Sequence, residues 1–251
     1  MGELVGIYAV WLREMKVFLR EPERVVSSLV SPLLWIFGFG TGLGASVTIG
    51  DVSYQTFILP GVMAMNILFT AVFYGLYIIW DRKLDFLKEV LVSPLSRSGV
   101  FAGKVLGGVT DALIQASVLY AVAAFLGLPI TPFSIGVSLL ALILIAVCMT
   151  SVGLFFGAIL STPESFQLVM NFVIWPLFFF SGALFPLKGL PAWLAALIYL
   201  DPLTYGVDAL HWAFLSSGGV LPLPVDFAAL SLACLAALAL GSRAFGRMSL
   251  A

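Results

Sequence analysis

The chain has one histidine, His211, which follows Asp208 by three residues and precedes Trp212. Metal centres and histidine-based nucleophilic catalysis need further ligands or partners that a single histidine cannot supply. His211 is therefore read as an interfacial hydrogen-bonding residue, and neither a metal site nor a catalytic residue is expected. The stretch "GVFAGKV", Gly99 to Val105, has the outline of a phosphate-binding loop. Three residues rather than four separate its glycines, however, and Val105 stands where a magnesium-binding hydroxyl is needed. It also opens an apolar helix instead of following a strand. The chain is expected to hydrolyse no nucleotide and to be no enzyme. Cys148 and Cys234 lie inside apolar runs, which argues against a disulfide framework.

The remaining chemistry is polar groups set among apolar neighbours: Asn66, Asp111, Gln115, Gln167 and Asn171. Such groups at membrane depth face a bundle interior or a cavity. Asp111 lies about 10 Å up its helix from Lys104. It is read as paired with a basic residue near the surface, the other reading being an ion or proton site. An aromatic cluster, Phe172, Trp175, Phe178, Phe179 and Phe180, shares the stretch with Asn171. From these groups the candidates for a translocation path or gate are Asn66, Asn171, Trp175 and Phe179. Asp201 and Tyr205 join them from the segment described below.

The elements that must position these groups follow from composition. Of 251 residues, 61% are hydrophobic and 10% charged, against about 25% charged in a soluble domain, and the mean hydropathy is +1.12. That much apolar surface requires lipid as solvent, and a net charge of −1 gives no reason to expect nucleic acid. Runs of about 20 apolar residues place six transmembrane helices at roughly 25–45, 57–80, 105–128, 133–160, 166–187 and 226–243. The glycine pairs Gly38/Gly42, Gly40/Gly44 and Gly153/Gly157 are read as sites of close helix packing. Six spans put both termini on one side. That side holds Arg13, Lys16, Arg20, Arg24, Arg82, Lys83, Lys88, Arg97, Lys104, Arg243 and Arg247, and the other only Lys188. The asymmetry makes the basic side, and both termini, cytoplasmic in a plasma membrane. No soluble domain, low-complexity tract or internal repeat is visible.

Three segments outside the spans carry pattern. Over Ile7–Leu19 the residues Ile7, Tyr8, Trp11, Leu12, Met15, Phe18 and Leu19 share a face, with Arg13, Lys16 and Arg20 opposite, so residues 1–24 read as an interfacial helix on the inner leaflet. Over 81–104, Leu84, Phe86, Leu87, Val90 and Leu91 form an apolar stripe, and Asp81, Arg82, Asp85, Lys88 and Glu89 the opposite face. Pro94 ends that helix, and a turn near Ser96–Ser98 leads into the third span. Its stripe either rests on lipid headgroups or docks a cytoplasmic partner. Over 188–226, two apolar helices too short to cross are joined at Asp201, a good N-cap, and Pro202, a good first helical residue. They form a re-entrant or interfacial hairpin that either packs the helix ends or gates an exit. Thr162, Pro163 and Glu164 make a similar helix start on the basic side.

This layout resembles the membrane subunit of type-2 ATP-binding-cassette (ABC-2) exporters, such as daunorubicin-resistance and nodulation-factor export permeases. The resemblance covers essentially the whole chain, as one all-α polytopic domain over 1–251. It is carried by "FLKEVLVSPLSRSGVFAGKVLGG", Phe86 to Gly108, and "FSGALFPLKGLPAWLAALIYLDPLTYGVDALHWAF", Phe180 to Phe214. The first is similar to the family's coupling-helix segment and the second to its outer re-entrant segment, although "DALHW" stands where members often carry arginine. The resemblance implies that Leu84, Phe86, Leu87, Lys88, Glu89, Val90, Leu91 and Arg97 contact a separate ATPase. It further implies that the interfacial helix, through Trp11, Arg13, Lys16 and Arg20, braces that contact. Two ATPase subunits, a second copy of this chain or a close relative of it, and ATP with magnesium on the ATPase alone are implied partners and cofactors. Tilting of two six-helix bundles would export a hydrophobic or amphipathic molecule. A lipid-linked glycan or polysaccharide is the alternative cargo, and a channel, secondary transporter or membrane scaffold the alternative class.

Overall fold

The computed structural model describes residues 2–44, 46–49, 52–84, 95–128, 130–215 and 218–248. Nearly all of these are helical. The chain opens with α1 (Glu3–Arg20), and Glu21 and Pro22 turn it into α2 (Pro22–Leu34). Pro32 removes a backbone donor inside α2, and the helix loosens into a π-turn over Trp35–Gly40 before closing as α3 (Thr41–Gly44). Two-residue strands β1 (Thr48–Ile49) and β2 (Val52–Ser53) pair antiparallel, a small hairpin that the sequence reading did not contain. Ser53 then caps α4 (Tyr54–Phe73) by accepting from the Thr56 N–H at 3.3 Å.

A break at Tyr74–Gly75 separates α4 from α5 (Leu76–Lys83). The backbones approach closely here: a Cβ on Gly75 would run into the carbonyl of Gly153, and one on Gly157 into the carbonyl of Gly75. The expected packing role of Gly153/Gly157 is therefore observed. Gly38 and Gly42, by contrast, face open space.

Helix α6 spans Arg97–Phe125, α7 Pro132–Ile159, and α12 Leu223–Arg247. Between α7 and α12 run α8 (Pro163–Val169), a π-turn (Met170–Ile174), α9 (Trp175–Phe180), α10 (Ala192–Leu200) and α11 (Pro202–Phe214). Helix α6 begins eight residues before the expected 105 because Ser96 caps it, accepting from the Gly99 N–H at 3.0 Å. It stops before 128 because Gly127 takes a positive φ of 81°.

Among the described residues five helices are long and apolar enough to cross a membrane: Val25–Gly44, Tyr54–Lys83, Arg97–Phe125, Pro132–Ile159 and Leu223–Arg247. The fifth expected span, 166–187, differs. Its helix starts at Pro163, is interrupted by the π-turn ahead of Pro176, and ends at Phe180, where Gly182 (φ 78°) turns the chain. The core lies around α4 and α7, with Ile58, Leu59, Val62, Met63, Ile67 and Leu68 fully buried.

Candidate functional site

Two arrangements stand out, a buried ionic cluster at the basic end of the bundle and a cavity above it. The cluster begins with α1. Its buried face carries Glu14 as well as Phe18, and it lies against the start of α6. Gly103 and Gly107 permit this: a Cβ on Gly103 would strike Val10 and the Ile7 carbonyl, and one on Gly107 would strike Tyr74 and Glu14. Trp11 Nε1 seals the far side by donating to Thr110 Oγ1 at 3.1 Å.

At that contact Lys104, 1% exposed, donates from Nζ to Glu14 Oε1 at 3.1 Å and to Asp81 Oδ2 at 2.6 Å. Arg13 closes the other side, 2.7 Å from Glu14 Oε1 and 3.2 Å from Asp81 Oδ1. The Tyr74 hydroxyl donates to Glu14 Oε2 at 2.6 Å. Two cations and two carboxylates thus cancel, and the carboxylate oxygens are held by named donors, as a buried ion group requires. Burial pushes the Glu14 carboxyl up. Lys104, the Tyr74 hydroxyl and Arg13 outweigh that and hold it down at about 2.

The residues flanking the segment that joins α5 to α6 reach outward from this cluster. Arg82 donates to the carbonyls of Gly157, Ala158 and Leu160 at 3.1, 3.0 and 3.2 Å, capping the end of α7. Arg97 donates to the carbonyls of Gly246 and Met248 at 3.0 and 2.9 Å, at the end of α12. Cations at helix C-termini meet both the free carbonyls and the negative end of the helix dipole. The flanks of this segment are thereby bonded to α1, α7 and α12 as well as built into α5 and α6.

The cavity holds about 470 Å³ and lies between α2, α4, α5, α6 and α9. Ser27, Ser28, Ser31, Asn66, Thr70 and Gln115 supply its polar wall, and Phe69, Phe73, Leu76, Tyr77, Trp80 and Trp175 most of its apolar one. Gln115 accepts from Thr70 at 3.0 Å and from Ser28, and donates to Asp111 at 2.7 Å. Lys104, lower on the same helix as Asp111, itself serves Glu14 and Asp81.

At the opposite end α10 and α11 form the expected pair of short helices. Asp201 caps α11, accepting from the Leu203 N–H at 2.8 Å. Asp208 accepts from the N–H groups of Val220 and Leu221, and Trp212 donates to the Leu221 carbonyl at 2.7 Å, so α11 holds the connection to α12. His211 is buried, stacked 4.8 Å from Phe57. Burial pushes its pKa down to about 4, leaving it neutral.

Of the residues proposed from sequence, Asn66 and Trp175 meet in the cavity. Asn171 is exposed on the π-turn, and Phe179 stacks on Trp175 at 5.9 Å. Asp201 is buried at the hairpin, where Tyr205 donates to the Tyr199 carbonyl at 2.7 Å. Trp11 and Arg13 bind inward, while Lys16 and Arg20 are exposed. Leu84 is exposed beside the α5 end and Arg97 caps α12. Phe86, Leu87, Lys88, Glu89, Val90 and Leu91 lie outside the described residues. The roles of Glu14, Tyr74, Asp81 and Lys104 were missed. The glycine spacing Gly99/Gly103/Gly107 around a lone lysine, Lys104, was the signal that a helix packs there.

Comparison with known proteins is consistent with this arrangement. The inner membrane transport permease YadH of Escherichia coli (strain K12) is 29% identical over 236 residues, covering 90% of this chain and 89% of the relative. The putative transport permease ycf38 of Cyanophora paradoxa is 30% identical over 200 residues, covering 78% and 69%. Nodulation protein J of Rhizobium leguminosarum bv. trifolii is 27% identical over 214 residues, covering 84% and 81%. Residues 5–215 match the family described as ABC-2 type transporter. This chain, a multi-pass membrane permease, belongs to that ABC-2 type transporter family.

Proposed function

We propose that this chain is the membrane subunit of an ATP-driven exporter, working as a dimer with two copies of a separate ATPase that carries the ATP and magnesium. The basic end is cytoplasmic, both termini included, as the distribution of lysine and arginine supports. The ATPase docks on the segment of residues 81–104, whose apolar stripe over 84–91 enters a groove on that subunit. The cargo is a hydrophobic or amphipathic molecule, and the domain of residues 1–251 acts as one unit.

The observation that carries this reading is the anchoring of that segment on both sides. Asp81 and Lys104 share the buried cluster with α1, while Arg82 and Arg97 hold the ends of α7 and α12. ATP then acts through differential binding: closure of the ATPase dimer favours one arrangement of the helices over another. An exposed connector resting on lipid would need none of these buried charges, whose desolvation is costly unless they are fully paired.

The test is co-purification of the chain with its ATPase, followed by hydrolysis measured in lipid with amphipathic candidates. Leu87→Asp or Leu91→Asp should insert normally and abolish substrate-stimulated hydrolysis, because a charge in the docking groove is desolvated without a partner. Normal assembly and normal stimulation in both variants would overturn the reading.

A further inference from the structure

Among the described residues, every one lining the cavity between α2, α4, α5, α6 and α9 is uncharged. A charged group entering it would lose water, and no described lining residue offers it a counter-ion, a cost of several kcal/mol. Its polar wall is asymmetric. Gln115 is committed to Thr70, Ser28 and Asp111. Asn66 is 3% exposed, yet its Oδ1 has no hydrogen-bond partner and its Nδ2 reaches the Ser28 carbonyl only at 3.5 Å. A buried carboxamide oxygen without a donor is costly to leave unpaired. The aromatic rings of Phe69 and Trp175, 4.8 Å apart, line the same cavity. At about 470 Å³ the space falls within the roughly 300–1,000 Å³ of small-molecule sites. It reaches the surface at Ser27, Ser31 and Trp80, which are exposed.

We propose that this cavity binds the uncharged, hydroxyl- or amide-bearing head of an amphiphile. A donor on the head satisfies Asn66 Oδ1, the serine and threonine hydroxyls take its other polar groups, and Trp175 and Phe69 pack against its apolar face. The acyl or alkyl chain leaves past Trp80 toward lipid. The inference deepens the exporter reading by naming a cargo class and rests on it for the direction of transport. A phospholipid with a charged headgroup is disfavoured by the same wall.

The probe is a dodecyl glucoside carrying a diazirine on its first chain carbons, added to the full chain in nanodiscs without ATPase or ATP. Photolabelled peptides are mapped by mass spectrometry. Saturable labelling within Tyr54–Lys83 is expected, competed by dodecyl glucoside at least about tenfold better than by dodecylphosphocholine. Asn66→Leu should weaken the competition about tenfold, as expected for one buried hydrogen bond. Ser31→Trp, at an exposed position that leaves the core intact, should abolish the labelling by filling the mouth. Equal competition by the phosphocholine amphiphile, labelling that does not saturate, or labelling unchanged by Ser31→Trp would overturn the proposal. Because no ATPase is present, the two readings fail separately. Specific labelling without ATPase stimulation sinks the exporter alone, and stimulation without specific labelling sinks the cavity alone.

Discussion

Replacing Lys104 with methionine keeps most of the side-chain volume and removes the charge at the centre of the basic-end cluster. The ammonium lies 3.1 Å from Glu14 and 2.6 Å from Asp81. At an effective dielectric of about 20 those separations give attractions of about 5 and about 6 kcal/mol. Desolvation of the ammonium, several kcal/mol, opposes them. The variant is left with Arg13, whose side chain is 35% exposed, facing two carboxylates, and the cluster changes from neutral to −1 in a site closed to water. The expected loss is about 3–5 kcal/mol at pH 7, the cost of stranding a buried charge.

The pH dependence separates this mechanism from a simple packing defect. In the wild type the Glu14 carboxyl sits at about 2, below its ordinary 4.5. Its stabilisation is therefore complete above 4.5 and lost as pH falls toward 2, so Glu14 itself contributes no difference in stability between pH 7 and pH 5, and the loss in the variant is read against the wild type at each pH. In Lys104→Met a carboxylate is pushed above its ordinary value instead. Its protonated form is favoured in the fold, so the variant should gain stability as pH falls from 7 to 5. Equilibrium unfolding in mixed micelles, followed by tryptophan fluorescence at both pH values, measures this. A loss under about 1 kcal/mol, or one that is the same at both pH values, refutes the argument.

Gly75→Ala should lower the midpoint of unfolding by the equivalent of about 1–3 kcal/mol, because the new methyl group meets the Gly153 backbone, which cannot rotate away; a melting curve no different from wild type would exclude that contact. Asp201→Ala should cost about 0.5–2 kcal/mol through loss of the α11 cap. Transport per folded complex in vesicles then shows whether the hairpin gates the exit, in which case export falls, or only packs the helix ends, in which case it does not. Burial pushes the Asp201 carboxyl up to about 7. Its neutral form is thus favoured in the fold, so its contribution to stability should fall as pH rises from about 4 to 7, and thermal melts at pH 5 and 8 should differ less in Asp201→Asn than in the wild type. In a background lacking Cys148 and Cys234, a cysteine at Ser98 should be labelled only from the cytoplasm and one at Lys188 only from outside; labelling of both from one face would refute the topology.

What the sequence disclosed follows from the range of the interactions. Apolar runs, Asp201 before Pro202, and Thr162 before Pro163 are local signals, and each produced the expected helix or cap. The π-turns at Trp35–Gly40 and Met170–Ile174 carry only the ambiguous signature of a nearby proline, so the fifth span was drawn too long and too regular. The ionic cluster is the opposite case. Glu14 and Lys104 are 90 residues apart, and Lys104 and Asp81 are 23 apart. The reading of α1 as an interfacial helix put Arg13 on its polar face and gave Glu14 no role. Only the close approach at Gly103 and Gly107 turns that face inward and makes Arg13 a partner rather than a headgroup ligand.

The break at Tyr74–Gly75 joins the two arrangements. Tyr74 bonds Glu14 in the ionic cluster, while Phe73, Leu76 and Tyr77 on either side line the cavity. Gly75 itself rests on Gly153 of α7, whose end is held by Arg82. A force applied between α5 and α6 in the proposed exporter would have a short route to the cavity wall, through a point where the helix tightens to i→i+3 bonds. In the proposed exporter the cargo site and the ATPase contact would be coupled through this one joint. A cavity lined by rigid, unbroken helices would have required tilting whole spans to change its shape. Here, in the proposed exporter, a change in the angle between α4 and α5 would reposition Phe73, Leu76, Tyr77 and Trp80, which line the cavity with Asn66 and Thr70.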